Sequence, residues 1–196
     1  LIWIYLANYI FQVCCVNQVG KRIFNRQVRR ARLMELLIQH PDATIAMEAC
    51  SGSNYWGRAL QQRGFQVMLI PPQHVKPFVK GNKNDRNDAF AITEAARRPD
   101  LKCVEPRTLA QTDLIQVHRV LDRMVRQRTA LINQIRGFLN EYGIVIAQGK
   151  ERLLAAMPDL LEDAENGLTP SSRALYQELY EQWRQANECI DRIEKG

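Results

Sequence analysis

The feature that most limits what this chain can fold into is a stripe of apolar residues between Leu114 and Tyr142. Leu114, Val117, Leu121, Met124, Leu131, Ile135, Phe138 and Tyr142 recur in steps of three and four, with only Arg128 breaking the series. One continuous helix puts such residues on one side. The pattern starts at about Leu109, and Gly137 and Gly143 weaken it and set its end. A helix of that length projects beyond a compact domain, so its apolar side needs a cover. Two covers compete: the same helix of a second subunit, or a helix elsewhere in this chain. The intrachain candidate is the acidic C-terminal helix read from about Ser172 to Glu194, with Leu175, Leu179, Ala186, Cys189, Ile190 and Ile193 on its apolar side and Trp183 nearby. Arg128 argues against a clean two-stranded seam, because a buried guanidinium needs an acid or must reach the edge. Arg119, Arg123 and Arg126 stand about 200° away from the stripe. They offer three cations to a phosphate backbone, or else form a solvated face.

Upstream of that helix the period is different. Ile2 to Ala7, Ile10 to Val16 and Lys21 to Val28 read as three strands, with a turn at residues 17–20. Ala31, Leu33, Met34, Leu37 and Ile38 then recur at helical spacing behind Arg29, Arg30 and Arg32. A second strand-helix unit follows in Thr44 to Met47 and Tyr55 to Arg63, the latter ended by Gly64. The next strand, Phe65 to Ile70, runs into Pro71-Pro72, which is expected to continue neither a strand nor a helix. A helix from Asp85 to Arg98 is stopped by Pro99. Short strands alternating with helices predict an α/β fold, a mixed sheet with flanking helices. The long helix and the tail predict an all-helical extension, and the boundary between the two domains is expected near residues 105 and 106.

Charge divides the chain in a related way. Residues 1–150 hold 22 Lys and Arg against 11 Asp and Glu, whereas residues 151–196 hold 5 against 10. The excess in the first part favours a phosphate-bearing partner. No basic run borders a long apolar span, which argues against a membrane partner, and the apolar opening Leu1 to Ala7 lacks the features of a signal peptide. The five cysteines have no metal-like spacing and fit a reducing compartment, the cytoplasm, with Cys14 and Cys15 on opposite faces of a strand.

Chemistry is concentrated in the stretch from Lys80 to Ala91. There a glycine and asparagine turn opens a helix with Asp85 and Asp88 three residues apart, one above the other. Two carboxylates so placed can share a divalent cation, Mg2+ or Mn2+, while Lys80, Lys83 and Arg86 hold a polyanion beside it. The competing reading is helix capping, since acids are favoured in a first helical turn. Glu48, one residue beyond the strand ending at Met47, shifts the balance, because active groups in such folds sit at the carboxyl ends of strands. Cleavage or transfer at a phosphodiester needs acids from several elements. The first strand contributes none.

Three segments resemble a known family. Phe11-Gln12-Val13-Cys14, the run from Met47 to Trp56 and the run from Lys80 to Ala89 are similar to the N-terminal half of the insertion sequence one-hundred-and-ten family of transposases, the DEDD recombinases that include bacterial site-specific DNA invertases. The resemblance covers essentially the whole chain. It implies an RNase H-like domain similar to the resolvase RuvC, followed by a coiled-coil region. It also implies Mg2+ held by four acids, and DNA recombination guided by a structured bridge RNA. The family glutamate falls on Glu48 and its paired aspartates on Asp85 and Asp88. The first-strand aspartate falls on Tyr5, and the lysine of a following Ala-Lys pair on Asn8. Tyr5 cannot replace a carboxylate at neutral pH, because a phenol titrates near pH 10.

The family's nucleophilic serine belongs to a C-terminal domain, and no serine here is assignable to that role. The chain is expected to be a fragment of a longer protein or the product of a decayed element. The leading expectation is the catalytic-domain half of a bridge-RNA-guided transposase, impaired or inactive as written and assembled as a dimer or tetramer through the long helix. A non-catalytic nucleic-acid-binding and dimerisation remnant is the alternative, and a stand-alone resolvase-like nuclease the third.

Overall fold

The computed structural model describes residues 1–75, 77 and 101–195. The chain divides into two compact units, Leu1–Gln111 and Thr112–Gly196.

In the first unit, strands β1 (Ile2–Tyr5), β2 (Ile10–Val16), β3 (Arg22–Arg29), β4 (Ile45–Glu48) and β5 (Val67–Ile70) form one sheet in the order β3-β2-β1-β4-β5. β2 runs antiparallel to both β1 and β3, and β1, β4 and β5 are mutually parallel. The period-two alternation decides which side chains go to which face. Ile2, Ile4, Phe11, Val13, Cys15, Ile45, Met47 and Leu69 point to one face, where helix α1 (Leu33–Ile38) supplies Leu33, Leu36 and Leu37 and helix α2 (Ser53–Gln61) supplies Trp56 and Leu60. Trp3, Cys14, Val16, Ala46 and Ile70 point to the other face and pack with Val75 of helix α3 (Pro72–Val75) and with Leu101. Cys14 and Cys15 thus serve different cores, as the alternation required. This mixed sheet with flanking helices is an α/β, RNase H-like fold.

Several boundaries differ from those read in the sequence. β1 stops at Tyr5, two residues early, because Leu6 and Ala7 belong to the bend into β2. The helix expected at Ala31 begins as a 3-10 turn, Arg30–Arg32, before α1. β4 is displaced by one residue, so Glu48 is its last member rather than the residue after it. α2 opens at Ser53, directly after Gly52, whose φ of 85° turns the chain sharply. Pro72 does not exclude a helix: it begins α3, and proline is tolerated in the first turn, where its missing N–H has no partner to lose. The helix expected from Asp85 to Arg98 lies outside the described residues.

The segment before the long helix is tied to α2. Val104 N–H donates to the Leu69 carbonyl at 2.8 Å, and Arg107 N–H donates to Asn54 Oδ1 at 2.9 Å. Pro106 sits so close to α2 that a methyl group added at Gly57 would meet its ring carbons at 2.6 and 2.9 Å. Alanine in place of a helical glycine ordinarily stabilises by about 1 kcal/mol. Here the sign reverses. Gly57→Ala is expected to destabilise the first unit by about 1 to 3 kcal/mol, the usual cost of overpacking, which a urea melt of the purified chain would measure.

The second unit holds helices α4 (Leu109–Asn140), α5 (Lys150–Glu162) and α6 (Pro170–Lys195). α6 starts two residues before the expected Ser172. Thr169 caps it, its Oγ1 accepting from Ser172 N–H at 3.1 Å, and Pro170 takes the first helical position. Leu131, Ile132, Ile135 and Leu139 of α4 are buried with Leu153 and Met157 of α5 and with Tyr176, Leu179 and Trp183 of α6. Arg128 donates to Asn187 Oδ1 at 2.9 Å, while Phe138 and Tyr142 pack their rings against Tyr176 at 6.5 and 6.4 Å. Later residues of α4 therefore meet earlier ones of α6, so the two helices run antiparallel. The C-terminal half of the stripe is closed within the chain. Its N-terminal half is more open: Leu114 is 58% exposed and Val117 41%, and Leu121 and Met124 are half-buried. The buried side of α6 is Tyr176, Leu179, Trp183, Ala186 and Ile190, and the expected Leu175 faces solvent.

Candidate active site

Glu48 stands at the carboxyl end of β4 as the sheet geometry demands of a working group in such a fold. The register identifies its neighbours. Ile4 pairs with Met47 across the parallel β1–β4 ladder, so one step further Tyr5 lies beside Glu48. Tyr5 pairs in turn with Gln12 and Gln12 with Gln27, while Glu48 pairs with Ile70. Gln27, Gln12, Tyr5, Glu48 and Ile70 thus form one row across all five strands, each about 4.8 Å from the next. Tyr5 and Glu48 are both half-buried. Gln12 is buried, and its side-chain amide donates to Asn25 Oδ1.

Position 5 is therefore where a first-strand carboxylate would stand against Glu48, and a phenol stands there instead. A neutral phenol donates a hydrogen bond but is a poor ligand for a hard cation. Beyond Glu48, Cys50 has its thiol pKa pushed up, first by burial and then by the Glu48 carboxylate.

The serines near Glu48 have other tasks. Ser53 is fully buried and its hydroxyl donates to the Cys50 carbonyl at 2.9 Å, closing the loop that leads into α2. Ser51 lies in that turn, and Ser171 and Ser172 begin α6. Asp85, Asp88, Lys80, Lys83 and Arg86 lie outside the described residues. Arg119, Arg123 and Arg126 are all exposed on α4. Arg126 makes a two-point ion pair with Asp122, with Nη2 at 2.6 Å and Nε at 3.2 Å from the carboxylate oxygens. Exposed pairs one helical turn apart are worth only about 0.3 to 0.5 kcal/mol, so a phosphate can displace the acid.

Sequence reasoning passed over one cluster near these residues. Arg30 places its guanidinium 5.1 Å from the Trp56 ring and 5.8 Å from the rings of Phe11 and Tyr55. The signal was the pair Arg29-Arg30 at the end of a strand and the aromatic pair Tyr55-Trp56 at the start of a helix, far apart in the chain.

A sheet in the order 3-2-1-4-5, with a carboxylate ending its second parallel strand, defines an RNase H-like domain. The chain belongs to the DEDD transposase family of the IS110 type, whose family model, described as "Transposase", matches residues 6–144. It is 41% identical over 190 residues to the transposase for insertion sequence element IS1111A of Coxiella burnetii, covering 97% of this chain and 52% of that protein. It is 38% identical over 197 residues to the transposase for insertion sequence element IS1328 of Yersinia enterocolitica, covering 100% of this chain and 58% of that one. A probable family 20 transposase of Pseudomonas aeruginosa is 37% identical over 191 residues, with 97% and 56% covered. The chain spans about half the length of these relatives.

Proposed function

We propose that this chain is the N-terminal, acid-cluster-bearing part of a DNA transposase, with a divalent-cation site formed by Glu48, Asp85 and Asp88 and weakened by Tyr5. The observation that carries the reading is the β1–β4 register, which sets position 5 beside Glu48 at the carboxyl ends of two parallel strands. When bound, Mg2+ or Mn2+ would activate an attacking oxygen and steady a leaving one at a phosphodiester. Glu48 supplies the oxygen donor type such an ion takes. The chain's own contribution is to hold these acids, while Lys80, Lys83 and Arg86 keep a phosphate backbone beside them. A structured guide RNA is the partner proposed for target choice, and no helix among the described residues is long and apolar enough to cross a membrane. Incubation with branched or supercoiled DNA and Mg2+ tests the reading. No strand transfer is expected from the chain as it stands, and tighter Mn2+ binding is expected in a Tyr5→Asp variant. Tyr5 also favours a second reading, a non-catalytic nucleic-acid-binding and dimerisation remnant. Equal Mn2+ affinity in the parent and the Tyr5→Asp variant would support that reading instead.

Nucleic-acid binding by α4 rests on Arg119, Arg123 and Arg126. Reversing all three to glutamate is expected to weaken duplex DNA binding with little loss of helix content. The slope of log affinity against log salt should also shrink by about 0.9 for each phosphate no longer neutralised. An unchanged salt series would leave these arginines as a solvated face.

Assembly is proposed through the open half of the stripe, Leu114 and Val117, with Val120 exposed beside it. A dimer or tetramer at micromolar concentration is the expected result in light scattering. Leu114→Glu combined with Val117→Glu should yield a monomer with its helices intact, because neither side chain is buried within the chain.

A further inference from the structure

We infer that the cleft between the end of β3 and the start of α2 is a docking site for an unpaired DNA strand, with Tyr9 and Tyr55 stacking on bases and Arg29, Arg30 and Arg32 taking phosphates. The inference rests on the reading that this chain acts on DNA. It assigns the strand a seat that no acid of the cation site supplies.

The residues come together for simple reasons. Tyr9 lies in the turn that leaves β1, and its carbonyl accepts from Arg30 N–H at 2.8 Å, which clips the turn to the end of β3. α2 follows β4, so Tyr55 and Trp56 arrive at the same end of the sheet. Together with Ile10 and Met34 these residues line a cleft of about 680 Å³. Tyr9 is 81% exposed and Tyr55 55% exposed, so both rings present themselves to solvent.

The electrostatics point to a polyanion. Residues 21–32 carry Lys21, Arg22, Arg26, Arg29, Arg30 and Arg32 and no acid. Arg26, Arg29, Arg30 and Arg32 are exposed, and none of them pairs with a carboxylate among the described residues. A second cleft of about 530 Å³ continues from Arg29 past Arg26 and Arg32, with Glu35 on its wall. Charges on an edge strand also guard it against pairing with other sheets. That task needs no exposed tyrosines and no guanidinium laid over three rings. A basic track with stacking platforms is how proteins hold single strands without reading sequence.

The cleft is assigned to DNA because the chemistry proposed at Glu48 acts on DNA. Its location also fits a substrate strand, since β3 ends on the same side of the sheet as β1 and β4. Gln27 lies three strands from Glu48 in the same row, about 15 Å at the usual strand spacing. Arg29 and Glu48 therefore share one end of the sheet, with Trp56 and Met34 on its α1–α2 face and Glu48, paired with Ile70, on the opposite face.

The test is fluorescence anisotropy of the full chain with labelled oligo(dT), a blunt duplex hairpin and oligo(rU), in EDTA so that no cation-dependent chemistry contributes. Tyr9→Ala and Tyr55→Ala are each expected to weaken oligo(dT) binding about five- to tenfold, the lower part of the range for loss of one stacked base. Duplex binding should change less than twofold. Arg29→Glu with Arg32→Glu should weaken oligo(dT) at low salt and flatten its salt dependence. Far-ultraviolet circular dichroism and melting identify any variant that has lost its fold. Tyr55→Phe, which keeps the ring, should bind as the parent does and serves as the control for such a variant. Unchanged oligo(dT) affinity in both folded tyrosine variants would overturn the proposal, as would equal losses for oligo(dT) and duplex. Tighter binding of oligo(rU) than oligo(dT), with the same sensitivity to the tyrosines, would overturn the assignment to DNA. None of these results depends on cleavage, so the cleft fails or stands separately from the cation site.

Discussion

Changing Tyr5 to aspartate is expected to raise the affinity for Mn2+ by at least about tenfold, equivalent to about 1.4 kcal/mol, and to make the stability of the sheet unit depend on the ion. The register sets position 5 next to Glu48, roughly one strand spacing of about 4.8 Å away. An aspartate there sets a second carboxyl group beside Glu48, where the parent has a phenol. Without metal the two carboxylates repel, so the variant should melt lower than the parent. A repulsion of about 1 kcal/mol corresponds to about 4 to 8 °C for a unit of this size. With metal the order reverses, because an ion bound only by the folded state stabilises it by about 2.7 kcal/mol at a hundred times its dissociation constant. Tyr5→Asn is the control. It also removes the ring from its packing beside Trp3 and Ala46 but adds no charge, and it should gain no ion dependence. Calorimetric titration and thermal melts give the answer together. Equal Mn2+ affinities in the parent and the aspartate variant would refute the proposed geometry around Glu48.

How much of this was legible in the sequence depended on the range of the interaction that fixes each feature. The strands and the long helix came from local period, which a single stretch carries within itself, and the alternation of Cys14 with Cys15 was right for the same reason. Glu48 was found because a strand end is a local signal. Its being the last residue of β4, not one beyond, was set by pairing with Ile70 on β5, which no local pattern reveals. Pro71-Pro72 ended β5 as read, but that Pro72 also opens α3 was not legible, because proline is favoured at a helix start and only the following turn reveals one. Tyr176 was missed on α6 because a phenol reads as a surface residue until Phe138 and Tyr142 close around it. The Arg30 cluster joins residues from β2, the 3-10 turn and α2. It existed only once the sheet order was known.

The stripe on α4 shows the same limit with an energetic consequence. Equal spacing gave Val117 and Ile135 the same standing in the sequence, yet Ile135 is 1% exposed and Val117 41%. The difference comes from α5 and α6, which cover Leu131 to Leu139 and leave the start of the helix open. Ile135→Ala is therefore expected to destabilise the helical unit by about 2 to 5 kcal/mol, the sum of lost transfer free energy and an unfilled cavity. Val117→Ala should change it by no more than about 0.5 kcal/mol, as surface substitutions do. Domains of ordinary stability have only about 5 to 15 kcal/mol in hand, so the first change removes a large share of it. Glutamate at position 135 goes further, because a buried unpaired carboxylate is not tolerated. The double change Leu121→Glu and Ile135→Glu, which the stripe taken alone marks as a way to separate subunits, should instead melt α4 against α5 and α6. Arg128 does not rescue it: its guanidinium already donates to Asn187, and it stands seven residues before Ile135 on α4. Urea melts followed by circular dichroism at about 222 nm, the helix band, on Ile135→Ala and Val117→Ala side by side, measure the contrast directly. Similar midpoints for the two variants would mean that the cover over Ile135 contributes nothing to stability, and that the stripe is held by a second subunit along its whole length.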